Sequence, residues 1–284
     1  MKFLEEPDTS INYKYNTLNN YESYKNFSDT YTYVSKITDG SYSSLYIVYN
    51  KKKKCYEVLK KISKYNDWKT EVHINDYFKL LSKDIKKNVN FINKIYDSFY
   101  YIYMISNWYP NGTLYDLIEE KGYIKEEDAI DIMSSMINCL HKCHEKNIVH
   151  LDVKCENFMF DNNWNLILID FGHSEILDSS NLYGYCTYGT SYYLCPEGFD
   201  YVFSYKSDIW SLGVCFHMIL TGELPFKYYK SYKKYKNDIM NEKYYFSDKL
   251  SDRSKKLIDT MLKVKPEERP DIYELVDLFN DTYK

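Results

Sequence analysis

His150-Leu151-Asp152-Val153-Lys154-Cys155-Glu156-Asn157 and, thirteen residues beyond Asn157, Asp170-Phe171-Gly172 say most about the architecture of this chain. Between them lies Leu166-Ile167-Leu168-Ile169, a short apolar run that reads as a buried strand. Two acids, an amide and a lysine are thereby set on loops at strand ends. Asp152 is suited to accept a proton from an attacking hydroxyl. Asn157 and Asp170 supply hard oxygen donors of the kind Mg²⁺ prefers. Lys154 can neutralise charge on a moving phosphoryl group. Phosphoryl transfer calls for such a set, because positioning and charge neutralisation make up most of its catalysis.

Working outward, the two motifs resemble the catalytic loop H-R-D-x-K-x-x-N and the D-F-G of the eukaryotic protein kinase family. The resemblance extends over residues 31–284. Gly189-Thr190 and Cys195-Pro196-Glu197 are similar to the elements that close the family's activation segment. Asp208-Ile209-Trp210-Ser211-Leu212-Gly213 is similar to the start of its central large-lobe helix. Lys265-Pro266-Glu267-Glu268-Arg269-Pro270 resembles its terminal K-x-x-x-R-P. The resemblance implies that Asp208 holds the catalytic-loop backbone and that Arg269 pairs with Glu197. It also implies an α+β, bilobal fold: a small β-rich lobe with one helix, and a larger helical lobe. The expected boundaries are an extension at 1–30, the small lobe at 31–106, and hinge plus large lobe at 107–284, with 31–284 forming one domain.

The nucleotide side is less regular. Ile37-Thr38-Asp39-Gly40-Ser41-Tyr42-Ser43-Ser44-Leu45 resembles the loop G-x-G-x-x-G-x-V, but only Gly40 is kept and Thr38 and Ser43 take the outer glycine positions. Glycine matters there because its backbone can approach phosphates closely. Val58-Leu59-Lys60 resembles V-A-I-K. Strand alternation puts Val58 and Lys60 on one face, an adenine wall beside a phosphate ligand, with Lys61 as the other candidate. Glu71, eleven residues after Lys60, is the expected partner of that lysine, at a separation shorter than the family's. Ile105 to Leu114 resembles the lobe-connecting hinge. It puts the backbones of Asn107 and Tyr109 toward adenine, Ser106 at the gatekeeper position with a cavity behind it, and Met159 beneath the base. With Gly40, Leu45 and Val58 these line the expected ATP site, and such a cavity predicts sensitivity to bulky ATP-site inhibitors.

Two departures from the family agree with each other. Leu151 stands where the family's Arg binds a phosphorylated activation segment, and no Arg precedes Arg253. Cys186 falls about where the usual phosphosite lies, with Thr187 beside it. Activity without activation-segment phosphorylation is the expectation. Lys154 and Thr190 match Ser/Thr-directed members, so protein Ser/Thr hydroxyls are the expected substrates, with ATP and Mg²⁺ as cofactors. A pseudokinase or nucleotide-binding scaffold, and a small-molecule phosphotransferase, are the alternative readings.

The composition is consistent with a folded enzyme. The chain has 284 residues and a net charge of −4, with 44% hydrophobic and 18% aromatic residues, which excludes a disordered chain. No apolar run reaches the ~20 residues of a membrane span, and the mild negative charge gives no support for nucleic-acid binding. Seven cysteines without a disulfide-like pattern, and no signal-peptide core, lead to the expectation of a cytoplasmic protein. Oligomeric state is not legible. Short Tyr/Val/Ile-rich runs at 31–37, 44–49, 55–62, 91–97 and 100–106 predict strands. Segments 67–82, 126–145, 207–221 and 251–282 predict helices. Lys51–Lys54 reads as a solvated hairpin tip. Cys139, His141, Cys143 and His144 lie within one helix and read as core-helix residues with satisfied side chains rather than a metal site, and the Tyr/Lys stretch 227–236 as a solvated face.

Overall fold

The computed structural model describes residues 21–40, 43–80, 87–177, 184–185, 192–226, 232–241, 244, 246–248 and 250–283. Cys186, Thr187, Gly189 and Thr190 lie outside the described residues, as does 227–231 of the Tyr/Lys stretch.

The small lobe contains, in chain order, β1 (Glu22–Ser23), α1 (Phe27–Thr30), β2 (Tyr31–Asp39), β3 (Ser43–Asn50), β4 (Cys55–Ser63), α2 (Lys69–Leu80), β5 (Ile92–Asp97) and β6 (Tyr101–Asn107). The strands form one sheet in the order β1-β5-β6-β4-β3-β2, antiparallel except for the β1–β5 edge pair. The expected extension differs from this at residues 21–30, which belong to the lobe. Phe27 is buried among Tyr31, Tyr96 and Tyr103, with ring centroids 5.1, 5.4 and 6.4 Å away. One aromatic anchor in a polar segment gives no periodicity to read, yet its burial holds the segment down.

Alternation along β4 sorts its side chains. Leu59 joins Phe27, Val48 and Ile105 on the outer face. Ile62 joins Val72 of α2, Ile102 and Met104 on the inner face. Lys60 shares that inner side by period-two alternation. Lys61 is turned the other way, its Nζ 3.9 Å from the Tyr101 ring centroid. At the β3–β4 turn the Lys51–Lys54 tip is exposed as expected, and Lys53 pairs with Glu57.

The large lobe contains α3 (Leu114–Lys121), α4 (Glu126–His144), β7 (Ile148–Val149), β8 (Phe158–Phe160), β9 (Leu166–Leu168), β10 (Glu175–Ile176), β11 (Gly184–Tyr185), β12 (Val202–Phe203), α5 (Tyr205–Thr221), α6 (Tyr232–Met240), α7 (Asp252–Met261) and α8 (Ile272–Tyr283). Thr113 and Asp116 cap α3 reciprocally, and Ser204 and Ser207 do the same for α5. Helix α5 is buried nearly all round, as its continuous apolarity predicts. The helical stretch expected at 251–282 consists of two helices. Pro266 and Pro270 lack the N–H that a continuous helix needs, and a 3₁₀ turn at Pro266–Glu268 separates α7 from α8. Within 227–236 the solvated-face reading fails at Tyr235, which is buried beside Phe226 and donates to the Tyr192 carbonyl at 3.0 Å. Cys139, Cys143 and His144 of α4 are core residues.

The lobes meet behind the Pro110-Asn111-Gly112 turn. Asn90 N–H donates to the Leu168 carbonyl at 2.8 Å, and Leu168 N–H donates to that of Asn88 at 2.9 Å. Phe78 of α2 packs edge-on against Phe171, with centroids 5.0 Å apart. Among the described residues, no helix is long and apolar enough to cross a membrane.

Candidate active site

Two groups of polar side chains face the cleft. The first is built on β4, α2 and the turn after β9. Lys60 Nζ donates to Glu71 Oε2 and to Asp170 Oδ1, both at 2.8 Å. Glu71 lies in the first turn of α2, where a carboxylate is favoured by the helix dipole. The short link from β4 delivers it to Lys60 despite the eleven-residue separation.

Burial pulls the Lys60 ammonium down, but the charges of Asp170 and Glu71 outweigh it and hold the pKa above its ordinary value. The Lys60 charge holds Asp170 well below the usual carboxylate range, against the effect of burial. Glu71 goes the other way. Its burial raises its pKa, and the neighbouring Asp170 charge adds to this, because one lysine is shared between two acids. Gly40, Ser43, Lys60, Glu71, Asp170 and His173 line a cleft of about 360 Å³ here.

The second group lies on the loop between β7 and β8. Lys154 Nζ donates to Asp152 Oδ2 at 2.6 Å. Asn157 Nδ2 donates to the same oxygen at 3.0 Å and to the Asp152 carbonyl at 2.7 Å. Asp152 and Asn157 are both buried. The Ile169 N–H donates to the Asn157 carbonyl at 2.9 Å, which ties the loop to the residue before Asp170.

The loop backbone is held from below. Asp208 accepts the N–H groups of His150 at 2.8 Å and Leu151 at 2.9 Å, and His144 Nε2 lies 2.9 Å from the same carboxylate. Leu151 and Asp170 both have left-handed backbone, φ 64° and 60°. Such conformations cost ~1–3 kcal/mol in non-glycine residues and persist where surroundings over-determine them. The Asp208 bonds to Leu151 and the Lys60 bond to Asp170 supply that determination.

The other sequence-predicted residues are placed as follows. Leu45 pairs with Lys60 across β3–β4, and Val58 pairs with Ser106 across β4–β6. Met159 on β8 bridges to Thr113, just beyond the hinge. Asn107 is exposed, its Oδ1 accepting from Asn93 Nδ2 at 2.9 Å, while Tyr109 is buried and donates from its hydroxyl to Asn90 Oδ1 at 3.1 Å. Glu197 and Arg269 form a bidentate bridge with two 2.7 Å contacts.

The sequence reading missed the aromatic column through which the lobes register. His150 stacks edge-on to Phe171 at 4.9 Å, and Phe171 does so to Phe78 at 5.0 Å. Helical periodicity marks Phe78 as buried but does not reveal its partner. It also missed Asn75, a buried amide one turn after Glu71, for which no local signal exists.

A β-rich lobe with one helix, a helical lobe and a cleft holding both polar groups define a two-lobed nucleotide-type phosphotransfer frame. The sequence matches the protein kinase domain family over residues 31–278, and the chain belongs to that family. It is 34% identical over 178 residues to the "Probable serine/threonine-protein kinase KIN1 homolog" of Enterocytozoon bieneusi, covering 60% of this chain and 29% of that protein. It is 31% identical over 180 residues to the "Cell cycle serine/threonine-protein kinase CDC5/MSD2" of Saccharomyces cerevisiae, covering 62% and 26%. The chain thus spans about a third or less of the length of these curated relatives.

Proposed function

We propose that this domain transfers the γ-phosphoryl group of ATP to Ser or Thr hydroxyls of protein substrates. The observation that carries the reading is Lys60 Nζ bound at 2.8 Å to both Glu71 and Asp170. One cation is fixed at the cleft wall by an acid from each lobe. Lys60 and Glu71 order the phosphates, with Gly40 above them. Leu45, Val58, Ser106, Met159 and the backbones of Asn107 and Tyr109 enclose the base.

Asp152 orients the acceptor hydroxyl and takes its proton on the carboxylate, which Lys154 and Asn157 hold in place. Lys154 then offsets charge on the transferring group. Asn157 and Asp170 fit a divalent cation. Asn157 donates from Nδ2, which turns its Oδ1 lone pairs to another direction, and Asp170 uses Oδ1 toward Lys60 and retains Oδ2. When bound, Mg²⁺ would supply charge neutralisation on the phosphates. The Ser/Thr preference rests on Lys154 and on the names of the relatives. Cysteine usage favours a reducing, cytosolic-type compartment.

The domain works without activation-segment phosphorylation on this reading. Leu151 packs with Val149, Leu177, Phe203 and Tyr205. That apolar contact occupies the place where a phosphate-binding cation would be needed.

The test is transfer of radiolabelled phosphate to casein by the wild type and by Asp152→Asn. A positioned base contributes ~10²–10⁴ in rate, so the variant falls by at least ~100-fold. No transfer by the wild type overturns the enzyme reading in favour of a nucleotide-binding scaffold. Phosphatase-treated wild type and Thr187→Ala retain activity, and a large loss in both overturns the phosphorylation-independent reading.

A further inference from the structure

Helix α4 buries Met136, Cys139, Leu140 and Cys143 in the large-lobe core. Its other flank meets α8 across a groove of about 430 Å³ that shares no lining residue with the cleft. Ser134, Asn138, His141 and Lys142 line it from α4, at the i, i+4, i+7 and i+8 positions of one helix face, and Asn280 lines it from α8. Ile137, Val276 and Phe279 give it an apolar floor. His141, expected in the core with Cys139 and Cys143, is instead half-buried here, edge-on to Tyr273 with centroids 5.0 Å apart.

The chemistry of the wall is one-sided. The chain carries 41 acids against 37 Lys and Arg, yet among the described residues that line this groove two are basic and none is an acid. Lys142 is paired only loosely, 3.6 Å from Glu145, whose other oxygen is bound by Lys146 at 3.0 Å. The Ser135 hydroxyl is committed to the Asp131 carbonyl at 2.8 Å. Ser134, Asn138 and Asn280 have no side-chain hydrogen-bond partner among the described residues. Burial and the Lys142 charge hold the His141 pKa below its ordinary value, with Glu145 opposing them. An anion placed between His141 and Lys142 offsets that repulsion.

We propose that this groove docks a phosphorylated peptide, its phosphoserine or phosphothreonine received by His141, Lys142 and the Asn138 and Asn280 amides, and a neighbouring apolar side chain laid on the floor. A phosphoryl group brings nearly two negative charges and three strong acceptor oxygens, which matches two basic groups flanked by uncommitted amides. A carboxylate brings half that charge and one oxygen fewer. A free anion would leave Ile137, Val276 and Phe279 uncovered, whereas a peptide covers wall and floor together. The groove would bring the domain to proteins that already carry a phosphate.

The test is fluorescence anisotropy with the labelled peptide Gly-Ala-pSer-Leu-Phe-Ala-Gly. It is compared with its unphosphorylated form, a form with Glu in place of pSer, and a phosphorylated form with Ala in place of Leu and Phe. On the wild type the phosphopeptide binds at least ~10-fold more tightly than the unphosphorylated and Glu forms. Replacing its Leu and Phe weakens it at least ~5-fold. The double variant His141→Gln/Lys142→Ala loses at least ~10-fold in phosphopeptide affinity at an unchanged urea midpoint. The His141 imidazole proton signal, assigned by its absence from His141→Gln, shifts when the phosphopeptide is added to the wild type.

Equal binding of the phosphorylated and unphosphorylated peptides overturns the proposal, and equal binding of the Glu form overturns the phosphoryl reading of it. A preference that survives the double variant places the phosphopeptide elsewhere, which also overturns it. Indifference to loss of the peptide's Leu and Phe gives the groove to a small anion instead. Dimerisation seen by ultracentrifugation and abolished by the double variant gives it to a second copy of the chain. If the double variant has a lowered urea midpoint, the wild-type signal decides alone: an unshifted His141 resonance at saturating phosphopeptide overturns the site.

Discussion

Replacing Arg269 by Lys keeps the charge and removes the geometry. Arg269 is 1% exposed, and its guanidinium uses all five donors. Nε donates to the Lys263 carbonyl at 2.7 Å. Nη1 donates to Glu197 Oε1 at 2.7 Å and to the Lys206 carbonyl at 2.9 Å. Nη2 donates to Glu197 Oε2 at 2.7 Å and to the Val264 carbonyl at 3.0 Å. Stacking on Trp210, with Cζ 5.0 Å from the ring centroid, adds to this. An ammonium has three donors on one atom, so at least two bonds are lost. Hydrogen bonds to charged groups contribute ~1.5–3 kcal/mol each, and the site is too buried for water to replace them. Arg269→Lys is therefore expected to lose about 3 kcal/mol, which is roughly 6–12 °C in Tm at ~2–4 °C per kcal/mol. Urea unfolding followed by circular dichroism measures it. Arg269→Met loses more, because it strands the Glu197 carboxylate. The double variant Glu197→Met/Arg269→Met recovers part of that loss, because no uncompensated charge remains. A loss under about 1 kcal/mol for Arg269→Lys refutes the argument from donor geometry, and so does a double variant worse than Arg269→Met.

Gly222 closes α5 with φ +77°, and a Cβ there would sit 1.8 Å from the carbonyl oxygen of Gly122. Gly222→Ala should cost about 2 kcal/mol or more, and an unchanged urea midpoint would contradict that geometry. Burial pushes the Cys139 and Cys195 thiols up to about 12. Iodoacetamide at pH 8 should therefore label half-buried Cys55 well before either, since the thiolate is the nucleophile. Peptide mass spectrometry showing Cys139 or Cys195 labelled as fast as Cys55 would count against their burial. Asp170 is held low in the fold by Lys60, so the stability it contributes is fully present above the ordinary carboxylate value of about 4 and is lost only as pH falls below it. The stability difference between wild type and Asp170→Asn should stay constant from pH 7 to 5 and shrink below about 4. A difference that shrinks already between pH 7 and 5 would refute the pairing.

How much was readable depended on how local each constraint is. Strands β2 to β6 were legible to within two residues, because period-two alternation and turn residues are properties of short windows. The loop from His150 to Asn157, Asp170, Lys60 and Glu71 were legible because their chemistry demands particular residue types at particular spacings. Residues 21–30 were not, because what holds them is Phe27 inserted among rings from β2, β5 and β6. Tyr235 was misread for the same reason: a Tyr in a Lys-rich stretch has the composition of a surface until Phe226 covers it.

The sequence by itself therefore determined the family, the order of strands and helices, and the identity of the polar groups in the cleft. Only the tertiary structure decided which lysine faces the acids, since Lys60 and Lys61 are adjacent and the direction of the pleat is set by which face of β4 packs beneath α2. It likewise decided that the space expected behind Ser106 is a polar chamber of about 30 Å³, too small for bulky inhibitor groups. That depends on Asn75 lying within reach of the Ile92 N–H from another element, and hydrogen bonds between residues seventeen apart leave no mark in the sequence of either.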